Sequence, residues 1–255
     1  MSGERVVTLA ALIAILALAW GWLLVDGGMS MGALEMTAMA GMDGWLMQPA
    51  VWTPSYAVVV FSMWWIMMVA MMLPSAVPML LLFGRVSRNG APPATVAASS
   101  ALFAIGYLLA WGAFSAVATV LQWRLESARV LSPMLEVTNA WLGAGILLLA
   151  GFWQLMPIKS ACLRQCRSPL SFLINKWQGG PWGAFRMGLQ HGIYCLGCCW
   201  FLMALLFFGG IMNLYWITGI AVFVLMEKWA PYGERVGRLA GMVLVAGAVL
   251  LVLQA

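Results

Sequence analysis

The sequence predicts an all-α membrane protein that crosses the bilayer several times. Of its 255 residues, 64% are apolar and only 8% are charged, whereas a soluble protein carries roughly 25% charged residues. Apolar runs of about 20 residues, long enough to cross a hydrocarbon core of about 30 Å, recur along the chain. The net charge of +5 comes mostly from basic residues in the short links between these runs. They are typical of topology signals and not of a nucleic-acid-binding surface.

Seven apolar stretches are predicted to be transmembrane helices. They lie near residues 6–25, 57–83, 95–121, 134–156, 183–210, 212–230 and 236–254. The first stretch is too long for a signal peptide and lacks a small-residue cleavage site, so we expect it to be retained. The chain divides on this basis into a first helix with a Met- and Gly-rich outer loop (1–56), a metal-binding membrane domain (57–232) and a C-terminal transmembrane helix (233–255).

The distribution of basic residues predicts the orientation of the chain. If the N-terminus is inside, only Arg124 and Arg129 fall on the outer side. The basic residues that then fall at the cytoplasmic side are Arg5, Arg85, Arg88, Lys159, Arg164, Arg167, Lys176, Lys228, Arg235 and Arg238. Because Lys and Arg accumulate in cytoplasmic links, this pattern predicts an N-in, C-out protein of the bacterial inner membrane.

The fifth apolar stretch contains the principal candidate site. It holds the only histidine of the chain and three of its five cysteines: His191, Cys195, Cys198 and Cys199. On an α-helix these residues lie at roughly 0°, 40°, −20° and 80°, on one face. Imidazole and sulfur suit Cu(I) or Zn(II) and suit Mg or Ca poorly. The alternative is that these side chains only pack, since buried Cys often behaves as a small apolar residue.

A second pair of cysteines follows the fourth stretch. Cys162 and Cys166 are four residues apart in a short helix that Pro157 can open. The basic residues around them would favour the thiolate, which is the form that binds metals. We expect a separate cytoplasmic metal station here, with Lys159 as a further candidate for lining the ion path. The alternative is a basic segment with two incidental small residues.

Methionines follow a helical spacing in the second stretch, where Pro74 and Pro78 predict a kinked, broken helix. These methionines are Met63, Met67, Met68, Met71 and Met72. A broken helix lined by thioethers could conduct a soft cation, or the methionines could fill an uneven interface.

The outer loop carries six more methionines, which could collect Cu(I) where thiols would be oxidised. They are Met29, Met31, Met36, Met39, Met42 and Met47. The alternative is a flexible linker with a short amphipathic piece.

In the sixth stretch, Glu227 could orient the His191 imidazole or accept a proton, or it could simply pair with Lys228 or Arg186.

Four runs of the sequence resemble a family of bacterial proteins described as predicted metal-binding integral membrane proteins. The runs are MWWIMMVAMMLPSAVPM, MPIKSACLRQCRSPL, GLQHGIYCLGCCWFLM and MNLYWITGIAVFVLMEKWAP, and the resemblance covers roughly residues 57–232. It includes Cys162, Cys166, His191, Cys195, Cys198, Cys199, Glu227 and Lys228. The resemblance implies metal binding, and it supplies no substrate or reaction.

Three functions are compatible with these observations. The first is copper handling, by transport or by delivery to a membrane or periplasmic metalloenzyme. The abundance of methionine favours Cu(I), with zinc as the alternative metal. The second is a membrane thiol oxidoreductase that uses Cys195 and Cys198 as a CxxC dithiol. The third is a noncatalytic subunit of a membrane complex, with the 15 tryptophans as anchors and partner contacts. No nucleotide-binding motif is present, so we expect no ATP-driven pump and assign no enzymatic activity.

Overall fold

The computed structural model describes residues 3–25, 32–39, 51–88, 92–132 and 135–254, except for the side chains of residues 3–5 and 93. Across these ranges the regular structure is helical, and one isolated bridge joins Leu131 to Val137. The helices are α1 (Gly3–Val25), α2 (Ala33–Ala38), α3 (Pro54–Ser87), α4 (Pro93–Ser127), α5 (Ala140–Leu155), α6 (Pro157–Arg167), α7 (Pro169–Lys176), α8 (Gly180–Ala204), α9 (Leu206–Gly209), α10 (Leu214–Trp229) and α11 (Gly233–Gln254).

Five helical segments in the described part of the chain are long and apolar enough to cross a membrane. They are Val6–Val25, Pro54–Ser87, Ala94–Ser127, Gly180–Gly209 and Gly233–Gln254. The pair α5 and α6, bent by 65°, makes a sixth if it counts as one broken span. The architecture is compatible with a helical membrane protein, with five or six such segments in place of the seven predicted. The orientation of the chain stays a prediction.

Two of the predicted spans are shorter than expected. The span predicted at 134–156 begins as helix only at Ala140, where the Asn139 side chain accepts a hydrogen bond from the Leu142 amide. The chain before it includes Arg129 and Leu135 in the left-handed region, at φ 55° and 60°, a conformation that interrupts a helix. α10 has 16 residues, fewer than the about 20 that a perpendicular span requires.

α3 runs unbroken through both of its internal prolines, so the predicted broken helix is wrong. The Met72 carbonyl, just before Pro74, accepts hydrogen bonds from the Ser75 hydroxyl at 2.7 Å and the Tyr107 hydroxyl at 3.1 Å. The Tyr107 contact ties α3 to α4 at this level.

α8 is the central helix of the bundle and lies against both α4 and α6. Its contact with α4 is close because glycines meet there. A Cβ on Gly188 would overlap the Phe103 carbonyl, and one on Gly192 would lie 2.7 Å from the Ala110 Cβ. On the α6 side, a Cβ on Gly197 would lie 3.0 Å from the Cys162 sulfur. Small residues thus let both neighbours approach the cysteine-bearing helix.

The short helix α2, in the predicted outer loop, packs against the bundle. Thr37 in α2 accepts a hydrogen bond from the Leu214 amide at 2.8 Å, and Met36 is buried. Met29, Met31, Met42 and Met47 lie outside the described residues. The predicted outer collecting site therefore stays a prediction.

Candidate metal centre

The stripe predicted on α8 faces the interior of the protein. His191, Cys195, Cys198 and Cys199 are all buried, with at most 2% of each residue exposed. The hydrocarbon of a bilayer offers no partner for such side chains. Their burial against α3, α4 and α6 gives them protein neighbours instead.

Cys199 lies at the centre of a sulfur cluster. Its Sγ is 3.7 Å from the Cys198 Sγ and 3.8 Å from the Met72 Sδ on α3. Both thiols also donate to the Cys195 carbonyl, at 3.1 Å from Cys198 and 2.7 Å from Cys199. The cluster therefore joins two thiols of α8 to one thioether of α3.

The α6 cysteines lie close to those of α8. Cys166 is buried beside Cys195 and Cys198, and the half-buried Cys162 packs against Gly197 of α8. The 65° bend between α5 and α6 turns this short helix back against α8. The structure thus brings the two sets of cysteines together, and the cytoplasmic metal station stays a prediction. In the described structure all five cysteines are free.

Cys195 has a different environment from its neighbours because it contacts a buried lysine. The Lys228 ammonium donates to the Cys195 Sγ at 2.9 Å and to the Ser75 hydroxyl at 2.9 Å. The Tyr107 hydroxyl lies 3.1 Å from the same sulfur. Cys195 thus lies on α8 at a place where side chains of α3, α4 and α10 meet.

His191 lies in an aromatic cage. Its ring centroid is 5.3 Å from that of Phe172, 5.9 Å from Tyr107 and 6.1 Å from Phe103. The His191 Nδ1 is buried and has no hydrogen-bond partner among the described residues. The imidazole is therefore next to the Cys195 environment, on the α4 and α7 side, with one nitrogen free to bind.

The Glu227 carboxylate forms its ion pair with none of the residues that the sequence suggested, which were His191, Lys228 and Arg186. Its carboxylate pairs with the buried Lys159 of α6, which also donates to the Gln154 side chain. Arg167 donates to the Glu227 carbonyl at 2.8 Å. These contacts fasten α6 to α10, so the role of Lys159 is to fix the helix that carries Cys162 and Cys166.

The five candidate methionines of α3 are all fully buried. Met72 is the one whose sulfur meets a cysteine sulfur. Met63, Met67, Met68 and Met71 lie in the same apolar core. Their burial fits both sequence interpretations, an ion path and a packed interface.

Within the part of the chain that the structure describes, no three His, Cys, Asp or Glu side chains form a group that could hold a metal ion. Met72 adds a donor of another type, because its thioether lies beside Cys199. A mixed thiol and thioether donor set favours a soft metal ion such as Cu(I).

Three residues around Cys195 were not predicted from the sequence to be functional, namely Lys228, Ser75 and Tyr107. One signal for Lys228 was available. Successive residues on a helix point about 100° apart, so Glu227 and Lys228 do not face each other. A charged residue inside an apolar helix then needs a counter-charge of its own. Ser75 and Tyr107 carried no comparable signal.

A comparison with protein families gives a match for most of the chain. A family model described as PpoB2, copper chaperone, matches residues 61–251. No curated protein and no solved structure matches the chain. The matched range contains every candidate ligand on α3, α6 and α8.

Proposed function

Since this chain belongs to the PpoB2 copper chaperone family, we propose that it is an integral membrane protein that carries Cu(I) in the sulfur cluster between α8 and α3. Two thiolates from Cys195, Cys198 and Cys199 bind the ion, and the Met72 thioether is the third ligand. Cu(I) accepts low coordination numbers and soft sulfur donors. Zinc fits less well, since it prefers four ligands in a closed site.

The spacing of the sulfur atoms carries this proposal. Two sulfurs that each lie about 2.3 Å from one metal ion, at tetrahedral to trigonal angles, are about 3.8–4.0 Å apart. Cys199 Sγ is 3.7 Å from Cys198 Sγ and 3.8 Å from Met72 Sδ. A metal ion can therefore enter this cluster with little movement of the helices.

The neighbouring groups suggest how the ion moves. Met63, Met67, Met68 and Met71 extend along α3 from Met72, and thioethers bind Cu(I) without losing a proton. Cys166 lies beside Cys195 and Cys198, and Cys162 packs against Gly197, so α6 provides thiols to which the ion can be passed. In the inner membrane, with the N-terminus inside, this arrangement would deliver copper to a membrane or periplasmic metalloenzyme. His191, with its free Nδ1, is an auxiliary ligand during transfer.

The test is copper analysis of the full-length protein, purified in detergent without oxygen. We expect the wild type to retain one Cu(I), and the Cys195→Ser/Cys198→Ser/Cys199→Ser variant to retain almost none. Cys162→Ser is the matched control, because Cys162 lies at the edge of the cluster and is no ligand of the central ion. It should keep the full copper content, with the fold of each variant checked by circular dichroism.

An unchanged copper content in the triple variant would overturn the proposal. So would one zinc and no copper in the wild type after loading with an equal mixture of both metals. Either result would mean that the α8 sulfurs are not the copper ligands of this protein.

A thiol oxidoreductase is the second candidate, and one contact favours it. The Lys228 ammonium lies 2.9 Å from the Cys195 Sγ, and a neighbouring positive charge favours the reactive thiolate. Alkylation trapping separates the two functions. A redox enzyme would show a disulfide that forms and is reduced during turnover, whereas a copper carrier would show thiols that bound metal protects.

A further inference from the structure

We propose that Met68 and Met203 form a second Cu(I) site, made of thioethers alone, one helical turn away from the sulfur cluster. The inference rests on the proposed function, since it names the next station of the same ion. Met203 is a buried residue of α8 and was not among the residues that the sequence predicted to be functional. The register between α3 and α8 places the two methionines opposite each other.

Contacts at two levels fix this register. At the first level, the Met72 Sδ lies 3.8 Å from the Cys199 Sγ. At the second level, the rings of Trp64 and Phe207 are stacked, with their centroids 5.3 Å apart. Leu205 keeps a right-handed helical backbone where α8 passes into α9, so the residue spacing of the helix continues to Phe207. Between the two levels α3 runs eight residues back and α8 with α9 runs eight residues forward, so the two segments lie antiparallel.

Met68 and Met203 lie midway between these two contacts. Each is four residues from both contact residues on its own side, and residues four apart share one face of a helix. Both methionines are fully buried, and they belong to the same apolar core as the residues of both contacts. The two thioethers therefore form the level between the sulfur cluster and the aromatic stack.

The pair lies close to the sulfur cluster but differs from it in chemistry. Four residues of helix correspond to about 6 Å, which is the distance an ion would move from the Cys199 and Met72 sulfurs. A thioether is uncharged and binds Cu(I) without losing a proton. We therefore expect weaker binding by the pair than by the thiols, as is suited to a site from which the ion is released.

The next level beyond the pair contains no sulfur. Trp64 stacks on Phe207, and its indole NH donates to the Gln122 side-chain oxygen at 2.8 Å, so the single polar group of the indole is already occupied. Met68 and Met203 are thus the last sulfur pair before this aromatic contact. With the N-terminus inside, they lie on the outer side of the sulfur cluster, toward a periplasmic acceptor.

The test is a titration with Ag(I), a soft monovalent probe, in a protein without thiols. All five cysteines are replaced with serine, and binding is measured by calorimetry in detergent without chloride. In this background we expect Met68→Leu/Met203→Leu to bind one Ag(I) fewer than its parent, since leucine nearly conserves the volume but removes the sulfur. The methionines of the outer loop are present in both proteins, so their contribution cancels. An equal number of bound Ag(I) ions would overturn the inference.

Met79→Leu/Met187→Leu is the matched control in the same background. It also replaces one buried methionine of α3 and one of α8, but both belong to the separate apolar cluster around Phe83 and Phe103. The Met187 sulfur already accepts a hydrogen bond from the Gln178 amide at 3.4 Å. We expect this control to bind as many Ag(I) ions as its parent. The loss of one ion here as well would overturn the inference, because the effect would not be specific to Met68 and Met203.

The wild-type background keeps the test decisive if the cysteine-free protein does not fold. There, Met68→Leu/Met203→Leu should retain the most tightly bound Ag(I), which belongs to the sulfur cluster, and lose one of the weaker ions. Loss of the tight ion alone, or no loss, would overturn the inference.

The two proposals fail in different ways. If the copper content does not depend on Cys195, Cys198 and Cys199, the proposed function is wrong, even where the methionine pair binds Ag(I). If these cysteines hold copper but the replacement of Met68 and Met203 removes no Ag(I), only the second site is wrong.

Discussion

The Sγ of Cys199 lies 3.8 Å from the Sδ of Met72, a residue 127 positions earlier in the chain. The two helices that carry these sulfurs both pack against α4. Both side chains belong to the same buried apolar cluster. A thiol and a thioether at this distance can share one soft metal ion.

Replacing Met72 with leucine should weaken copper binding and leave the fold intact. The change removes the sulfur but nearly conserves the volume, and such swaps usually cost less than about 1.5 kcal/mol. We expect the Cu(I) affinity to fall roughly tenfold or more, since a supporting ligand is lost. Competition with a Cu(I) chelator measures the change.

Met79→Leu is the control for this prediction. Met79 is buried on the same helix but belongs to a separate apolar cluster around Phe83 and Phe103. Its substitution should leave the Cu(I) affinity unchanged. Equal affinities for Met72→Leu and wild type would mean that the thioether is not a ligand.

Mild oxidation of the apo protein should join α6 to α8. Cys166 lies beside Cys195 and Cys198, so an oxidant such as diamide, which is itself reduced to the hydrazine, should couple Cys166 to one of them. We expect peptide mass spectrometry to find this disulfide in apo protein and not in Cu(I)-loaded protein, because bound copper protects the thiolates. Disulfide formation at the same rate with and without copper would contradict the shared site.

The helical periodicity of the sequence was sufficient to predict that His191 and three cysteines share one face of α8. It was not sufficient to predict which residues they contact. A repeat of 3.6 residues places His191 and the three cysteines on one face, and that face is buried. Which neighbour each residue meets depends on how the helices pack, for which the single sequence gives no signal. His191 meets aromatic rings, Cys195 meets Lys228, and Cys199 meets Met72.

The number of transmembrane spans was predicted from hydropathy. Hydropathy measures how apolar a window of residues is, and it does not indicate at which residue a helix begins. Residues around 134–139 are apolar enough to extend the fourth span, but the backbone turns there at Leu135 and the helix starts at Ala140. The two internal prolines of α3 likewise predict a break, but the helix is continuous from Pro54 to Ser87.

The close contact between α4 and α8 should be sensitive to one added methyl group. In Gly188→Ala the new Cβ would overlap the Phe103 carbonyl, so the two helices must separate. Overpacking of this kind costs about 1–3 kcal/mol, and the shift should also pull Tyr107 away from Cys195. We expect a lower melting temperature in detergent and weaker Cu(I) binding.

Gly145→Ala provides the matched control for that experiment. It adds the same methyl group in α5, where no atom lies within 4 Å of the new Cβ. Because alanine favours a helix over glycine, the melting temperature should stay the same or rise. A Gly188→Ala protein as stable as this control would contradict the proposed tight crossing.

The buried ion pair of Lys159 and Glu227 should contribute strongly to the stability of the protein by holding α6 in place. In Glu227→Gln the Lys159 ammonium loses its counter-charge while 2% exposed. Breaking a buried pair from one side typically costs about 3–5 kcal/mol. We expect a large drop in the free energy of unfolding, and reduced Cu(I) binding because Cys166 loses its place beside α8.

Removing both charges tests this reading against a simple loss of contacts. In Lys159→Met/Glu227→Gln no uncompensated charge remains at the pair, so the double variant should be more stable than Glu227→Gln alone. A double-mutant cycle measures this coupling, which for residues in contact reaches about 0.5–3 kcal/mol. Additive losses in the cycle would show that the two side chains act independently. The attachment of α6 to α10 would then depend on Arg167, which donates hydrogen bonds to the Glu227 and Ala230 carbonyls.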